Sequence, residues 1–145
     1  MEPKKYDAVE IAKYMIDKST REGHPISNLQ LQKILYYVLG AFWKEKGYQV
    51  FDNEVQAWSY GPVIKDVYDM FCMYGGIPIC DLYDDVSIED DDKRIIDKVL
   101  AECRAMYVWD LVDKSHEKGT PWERVYKNYR VRIPSKYIRE YFCKK

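Results

Sequence analysis

The chain has 145 residues, of which 47% are hydrophobic and 32% charged, with a formal net charge of -1. This is the size of one ordinary domain with enough apolar surface for its own core, which excludes a disordered or collagen-like chain. The near-neutral balance also sets it apart from a dedicated nucleic-acid binder, which is usually strongly basic.

The first predicted helix covers residues 7–22. Asp7 is placed to cap it and Glu10 to bond back to the cap, while Ala8, Ile11, Ala12 and Met15 form one apolar stripe. Gly23 and Pro25 end it. The second helix opens with Ser27-Asn28-Leu29-Gln30, a capping-box pattern, and stops at Gly47. Leu31, Ile34, Leu35, Val38 and Phe42 share a face, and Tyr36, Tyr37, Gly40 and Trp43 fall on others. A helix apolar nearly all round belongs at the centre of a fold, and Gly40 would let a neighbour approach closely.

Residues 48–60 have no helical period. Asp52-Asn53 reads as a turn, and residues 54–60 as a short extended strand or an irregular connector. Gly61-Pro62 then reads as a joint, with Pro62 in the first turn of a third helix, where its missing N–H costs nothing. Ile64, Val67, Tyr68 and Phe71 form that helix's stripe, and Gly75-Gly76 its end. After the extended Ile77-Pro78-Ile79 comes an acidic run, with Ser87 read as the cap of a helix carrying Ile95, Ile96, Val99, Leu100 and Cys103. A shorter helix over residues 109–117 lacks a polar cap in front of it. Thr120-Pro121-Trp122-Glu123 is a strong start signal, and Pro134-Ser135 begins a last helix through Phe142. The expected class is mainly α. The whole chain, residues 1–145, reads as a single compact domain of about six to seven helices, with a short extended segment or small β element before Gly61-Pro62.

Few residues suggest chemistry. Cys72, Cys80, Cys103 and Cys143 form no CxxC pair, and no HExxH appears, so no metal or other cofactor is expected. The cysteines read as reduced thiols of a cytoplasmic protein. Met1 to Lys5 start no apolar run, so no secretory leader is expected. Residues 34–43, the longest uncharged apolar stretch, fall far short of the roughly 20 residues of a membrane span. The acidic run lacks the glycine of a calcium loop and reads as a solvated segment with acids at a helix N-terminus. There is no GxSxG elbow and no glycine-rich phosphate loop, and no signature supports pairing Cys72 with His116. No catalytic residue is assigned, and an enzyme ranks last.

Residues 124–145 hold eight basic residues and one acid, Glu140. Arg124, Lys127, Arg130, Arg132, Lys136 and Arg139 interleave with Tyr126, Tyr129, Tyr137 and Tyr141. Cations that face water or the chain's own acids are the first reading, an acidic protein partner the second, and nucleic acid the third. His116 and Trp122, in SHEKGTPW, read first as residues that fix the joint between two short helices.

The segments LQKILYYVLGAFW, FDNEVQAWSYGPVIKDVYDMF, SHEKGTPWERVY and IPSKYIREYF, in that order, resemble the Panacea antitoxin domain family. That family includes SocA-like antitoxins and GepA-like phage-associated proteins. The resemblance covers about residues 27–142, and its most specific piece is W-x-YGPV after an LQK-x-LYY helix. It implies a non-enzymatic bacterial or phage protein that neutralises a cognate toxin, encoded next door, by direct binding. The alternatives are an adaptor that delivers the toxin to an ATP-dependent AAA+ protease, as one branch of the family does, and, from the basic C-terminal segment, a nucleic-acid-binding phage or regulatory protein.

The signature positions are Leu31, Gln32, Lys33, Leu35, Tyr36, Tyr37, Trp58, Tyr60, Gly61, Pro62, Val63, Tyr68, His116, Pro121 and Trp122. Most of them read as structural. Lys33, Tyr37, Tyr60 and Trp122 are the partner-contact candidates, and Trp58 is expected to pack inward against the second helix. The toxin's identity and the oligomeric state stay open at this point.

Overall fold

A computed structural model of the chain describes residues 5–143. Residues 1–4, read above for a leader, and the last two lysines of the basic segment lie outside them. The elements run α1 (Ala8–Arg21), α2 (Asn28–Lys46), β1 (Val55–Trp58), β2 (Gly61–Ile64), α3 (Lys65–Phe71), a 3₁₀ turn (Cys72–Tyr74), α4 (Asp90–Arg104), α5 (Val108–Ser115), α6 (Pro121–Val125), β3 (Val131–Arg132) and α7 (Ser135–Cys143). Helices dominate, with one small antiparallel sheet ordered β2-β1-β3. Among the described residues, no helix is long and apolar enough to cross a membrane.

Local chemistry sets the early boundaries. The Asp7 side chain accepts from the Val9 N–H, and Glu10 accepts from the Asp7 N–H, closing the predicted capping box. Ser27 and Gln30 do the same for α2. That helix is the axis of the fold: it packs against α1, α3, α4, α5, α7 and β2. Leu31, Ile34, Leu35, Tyr36, Val38 and Phe42 are all buried in it. Gly40 is the point of closest approach, because a Cβ there would run into the Phe142 ring of α7.

Two boundaries differ from the sequence reading. The helix after the acidic run starts at Asp90 with Glu89 at its cap position, not at Ser87. Asp90, Asp91 and Asp92 fill its first turn, where the helix dipole favours negative charge without a capping hydroxyl. The second difference concerns Gly61-Pro62. The chain does not enter a helix there. It reverses through Ser59-Tyr60 and returns as β2, pairing Trp58 with Gly61 and Val55 with Ile64. Pro62 therefore sits in a strand, and α3 begins only at Lys65. Gly61 takes φ +106° directly after the turn, while neither Ser59 nor Tyr60 has a positive φ. Glycine thus supplies, one residue after the turn and not within it, a positive φ that other residues rarely adopt.

Candidate functional site

The hairpin explains why LQK and YGPV occur in one chain. Gly61 and Val63 face β1, so Pro62 and Ile64 direct their backbone groups outward, at the open edge of the sheet. An open edge exposes unpaired N–H and C=O groups. Pro62 has no N–H to leave unpaired. Two of the remaining groups, the Pro62 carbonyl and the Ile64 N–H, are taken by α2. The Ile64 N–H donates to Gln32 Oε1 at 2.8 Å, and Lys33 Nζ donates to the Pro62 carbonyl at 2.7 Å. Gln32 is oriented in turn by donating from Nε2 to Asn28 Oδ1 at 3.0 Å. Adjacent side chains of one helix thereby replace a missing fourth strand.

α5 closes the same joint from the other side. A Cβ on Gly61 would collide with Ser115 Oγ and lie 3.0 Å from Lys33 Nζ. Ser115 is buried and donates to the Val112 carbonyl. Glycine at position 61 is thus required twice, for its φ and for the space that α2 and α5 occupy. Lys33 is 0% exposed, and its ammonium faces no carboxylate there. Burial pushes its pKa down to about 7, because removing the group from water penalises the charged form.

The aromatic signature residues tie later helices to the hairpin. Trp122 Nε1 donates to the Trp58 carbonyl at 2.6 Å, which locks α6 to β1. The Trp122 ring stacks on Tyr126 at 4.5 Å and lies 4.9 Å from His116. Thr120 caps α6 by accepting from the Glu123 N–H, as its sequence predicts. Trp58 is 7% exposed and shares the lining of a groove with Leu29, Gln32 and Lys33 of α2. Tyr68 meets the Trp58 ring edge-on at 4.7 Å, and the Arg130 guanidinium lies over it at 3.5 Å.

The groove lies between the hairpin and α3 and has a volume of about 340 Å³. Trp58, Tyr60 and Tyr68 line it, together with the buried Lys33 and the exposed Arg130. Tyr60, at the tip of the hairpin turn, is 55% exposed and meets Trp109 of α5 edge-on at 5.4 Å; Trp109 itself is 41% exposed.

The four partner-contact candidates fall in different places. Lys33 and Tyr60 belong to the groove, one buried and one open. Trp122 is half-buried behind the hairpin. Tyr37 stands apart: it is half-buried against Tyr36 and Phe142, with Lys114 Nζ 5.2 Å from its ring. Leu31, Leu35, Tyr36, Val63 and Pro121 are buried, as structural residues should be. Arg130, in the groove lining, and Trp109, packed on Tyr60, were not singled out from sequence as site residues. Arg130 belonged to a basic and aromatic interleave with six cations, and only the docking of the segment before β3 selects this one.

Among the described residues, no group of three or more His, Cys, Asp or Glu side chains could hold a metal ion. Cys72, Cys80, Cys103 and Cys143 are free, and burial pushes the Cys103 thiol up to about 11.

The family model described as "Antitoxin SocA-like, Panacea domain" matches residues 31–123. The match begins in α2 at the residue before Gln32-Lys33 and ends one residue after Trp122, so it frames the joint described above. Antitoxin SocA of Caulobacter vibrioides (strain NA1000 / CB15N) is 33% identical over 134 residues, covering 84% of this chain and 71% of that protein. No solved structure matches the chain.

Proposed function

The chain belongs to the SocA-like, Panacea-domain antitoxin family, and from that premise we propose that it neutralises a cognate toxin by direct, non-catalytic binding. The observation that carries the proposal is the groove beside the hairpin, with Tyr60 exposed in its lining and the exposed Trp109 ring packed edge-on against Tyr60. Rigid aromatic groups around a partly desolvated pocket are what protein interfaces use as anchors. The staple made by Gln32, Lys33, Gly61 and Pro62 holds that rim in place, so a surface recognition role and a buried signature are compatible.

Co-expression with the product of the adjacent gene tests the proposal. Toxicity of the neighbour alone, normal growth with both, and co-elution of the two proteins is the expected result. Rescue without a complex, accompanied by loss of the neighbour in cells with an active AAA+ protease, would replace direct binding with delivery to degradation.

A further inference from the structure

We infer that the groove between the β1–β2 hairpin and α3 receives a carboxylate-bearing segment of the protein partner, with the carboxylate held by the Arg130 guanidinium where it lies on Trp58. The inference deepens the antitoxin reading and rests on it only for the name of the partner.

Charge decides the occupant. The residues lining the groove include one exposed cation, Arg130, and the buried Lys33, and no aspartate or glutamate. Arg21, Arg94, Arg104 and Arg124 each pair with a carboxylate of the chain itself, and among the unpaired arginines of the described residues only Arg130 lines this groove. Arg130 makes no such pair among the described residues and stacks on an indole instead. Stacking fixes the guanidinium plane but leaves its in-plane N–H groups free, which is the geometry for a bidentate carboxylate. The indole excludes water from one face, so a carboxylate docked there is screened less than at an open surface. Tyr60 and Tyr68 offer apolar ring surface to the stem of the acidic residue or to its neighbour. Nucleic acid fits less well: Arg130 is the one exposed cation of the lining, since Lys33 is fully buried, and a single open cation makes no phosphate track.

The test uses the whole protein, ¹⁵N-labelled, and two capped dipeptides that differ in charge alone, N-acetyl-Tyr-Glu-amide and N-acetyl-Tyr-Gln-amide. The Glu peptide is expected to shift the Trp58 indole N–H and Arg130 Nε–H signals with at least roughly tenfold higher affinity than the Gln peptide. Arg130→Gln should erase that difference, while Arg130→Lys, which keeps charge but loses the fork, should retain part of it. Unchanged thermal melts confirm that both variants are folded. Equal binding of the two peptides, or no shift at about 10 mM of either, overturns the inference. So does an oligothymidylate that moves the same two signals at lower concentration, which would assign the groove to nucleic acid. In parallel, Arg130→Gln is expected to weaken co-elution with the adjacent gene's product. If the wild-type chain fails to neutralise that product while the Glu peptide still binds, the antitoxin reading falls and the groove assignment stands. If neutralisation holds but the peptides bind alike, the reverse is true.

Discussion

Replacing Lys33 with methionine should change not only the stability of the protein but also how that stability depends on pH. The folded lysine has a pKa near 7 because it is buried, against 10.5 for the ordinary side chain. Between those two values the unfolded chain holds a proton that the folded chain has lost. The unfolded state then binds more protons, so the lysine's contribution to stability increases as pH rises from about 7 to 10.5. Below pH 7 the full penalty is present, and above 10.5 it is gone. A shift of this size corresponds to about 5 kcal/mol.

Methionine has a similar length and no charge, so it removes the penalty at every pH. It also leaves the buried Pro62 carbonyl without its donor, at a cost of about 1–3 kcal/mol. The variant should therefore be more stable than wild type at pH 7 by about 2–4 kcal/mol, and near pH 10 less stable by up to about 2 kcal/mol. The two stability curves should cross between about pH 8 and pH 10. Urea unfolding followed by tryptophan fluorescence at several pH values measures this directly. Taking the difference between variant and wild type cancels the tyrosines that titrate in both proteins. A difference that stays constant from pH 7 to 10 would refute the reasoning, because Lys33 would then titrate alike in the folded and unfolded chains.

The other predictions concern the same joint and its surroundings. Gln32→Leu should cost about 1–3 kcal/mol, because the Ile64 N–H is left buried and unpaired; hydrogen exchange at the Ile64 amide should accelerate more than at the rest of β2. Gly40→Ala forces the Phe142 ring away. Overpacking of about 1–3 kcal/mol outweighs the roughly 1 kcal/mol of helix propensity that alanine supplies, so limited proteolysis should cut near α7 sooner than in wild type. Tyr60→Ala removes an exposed ring and should change unfolding free energy by less than about 0.5 kcal/mol, yet reduce rescue of growth in the co-expression assay. An unfolded Tyr60→Ala protein would show instead that the hairpin tip is structural only.

Helices and their caps were legible because their determinants lie within one turn of chain. Asp7 with Glu10, Ser27 with Gln30, and Thr120 with Glu123 each settle a boundary through contacts two or three residues apart. The apolar stripe of α4 was equally readable, since a helix that must bury one face repeats at the helical period. The missing cap before α5 was legible too: Tyr107 stands there with no capping bond.

Gly61-Pro62 was not settled by local chemistry. Proline is tolerated both in the first turn of a helix and at the edge of a sheet, so the dipeptide alone permits either. The choice is made by Gln32 and Lys33, about thirty residues earlier in the chain, which satisfy the strand's outward groups. The same holds for Lys33 itself. A lysine near the start of a helix normally reaches water, and nothing within its own turn shows that a proline carbonyl will cover it.

The sequence by itself thus determined the helices, their order and the family, because caps, periodicity and the LQK and YGPV motifs are properties of short stretches. The tertiary structure alone decided that YGPV is a strand edge, that Lys33 is buried, and that Arg130 rather than its five basic neighbours lies on Trp58. Those outcomes depend on pairings between residues tens of positions apart, such as Trp122 with Trp58 and Lys33 with Pro62. Such pairings form when packing brings unpaired backbone groups and side chains together, which no local pattern encodes.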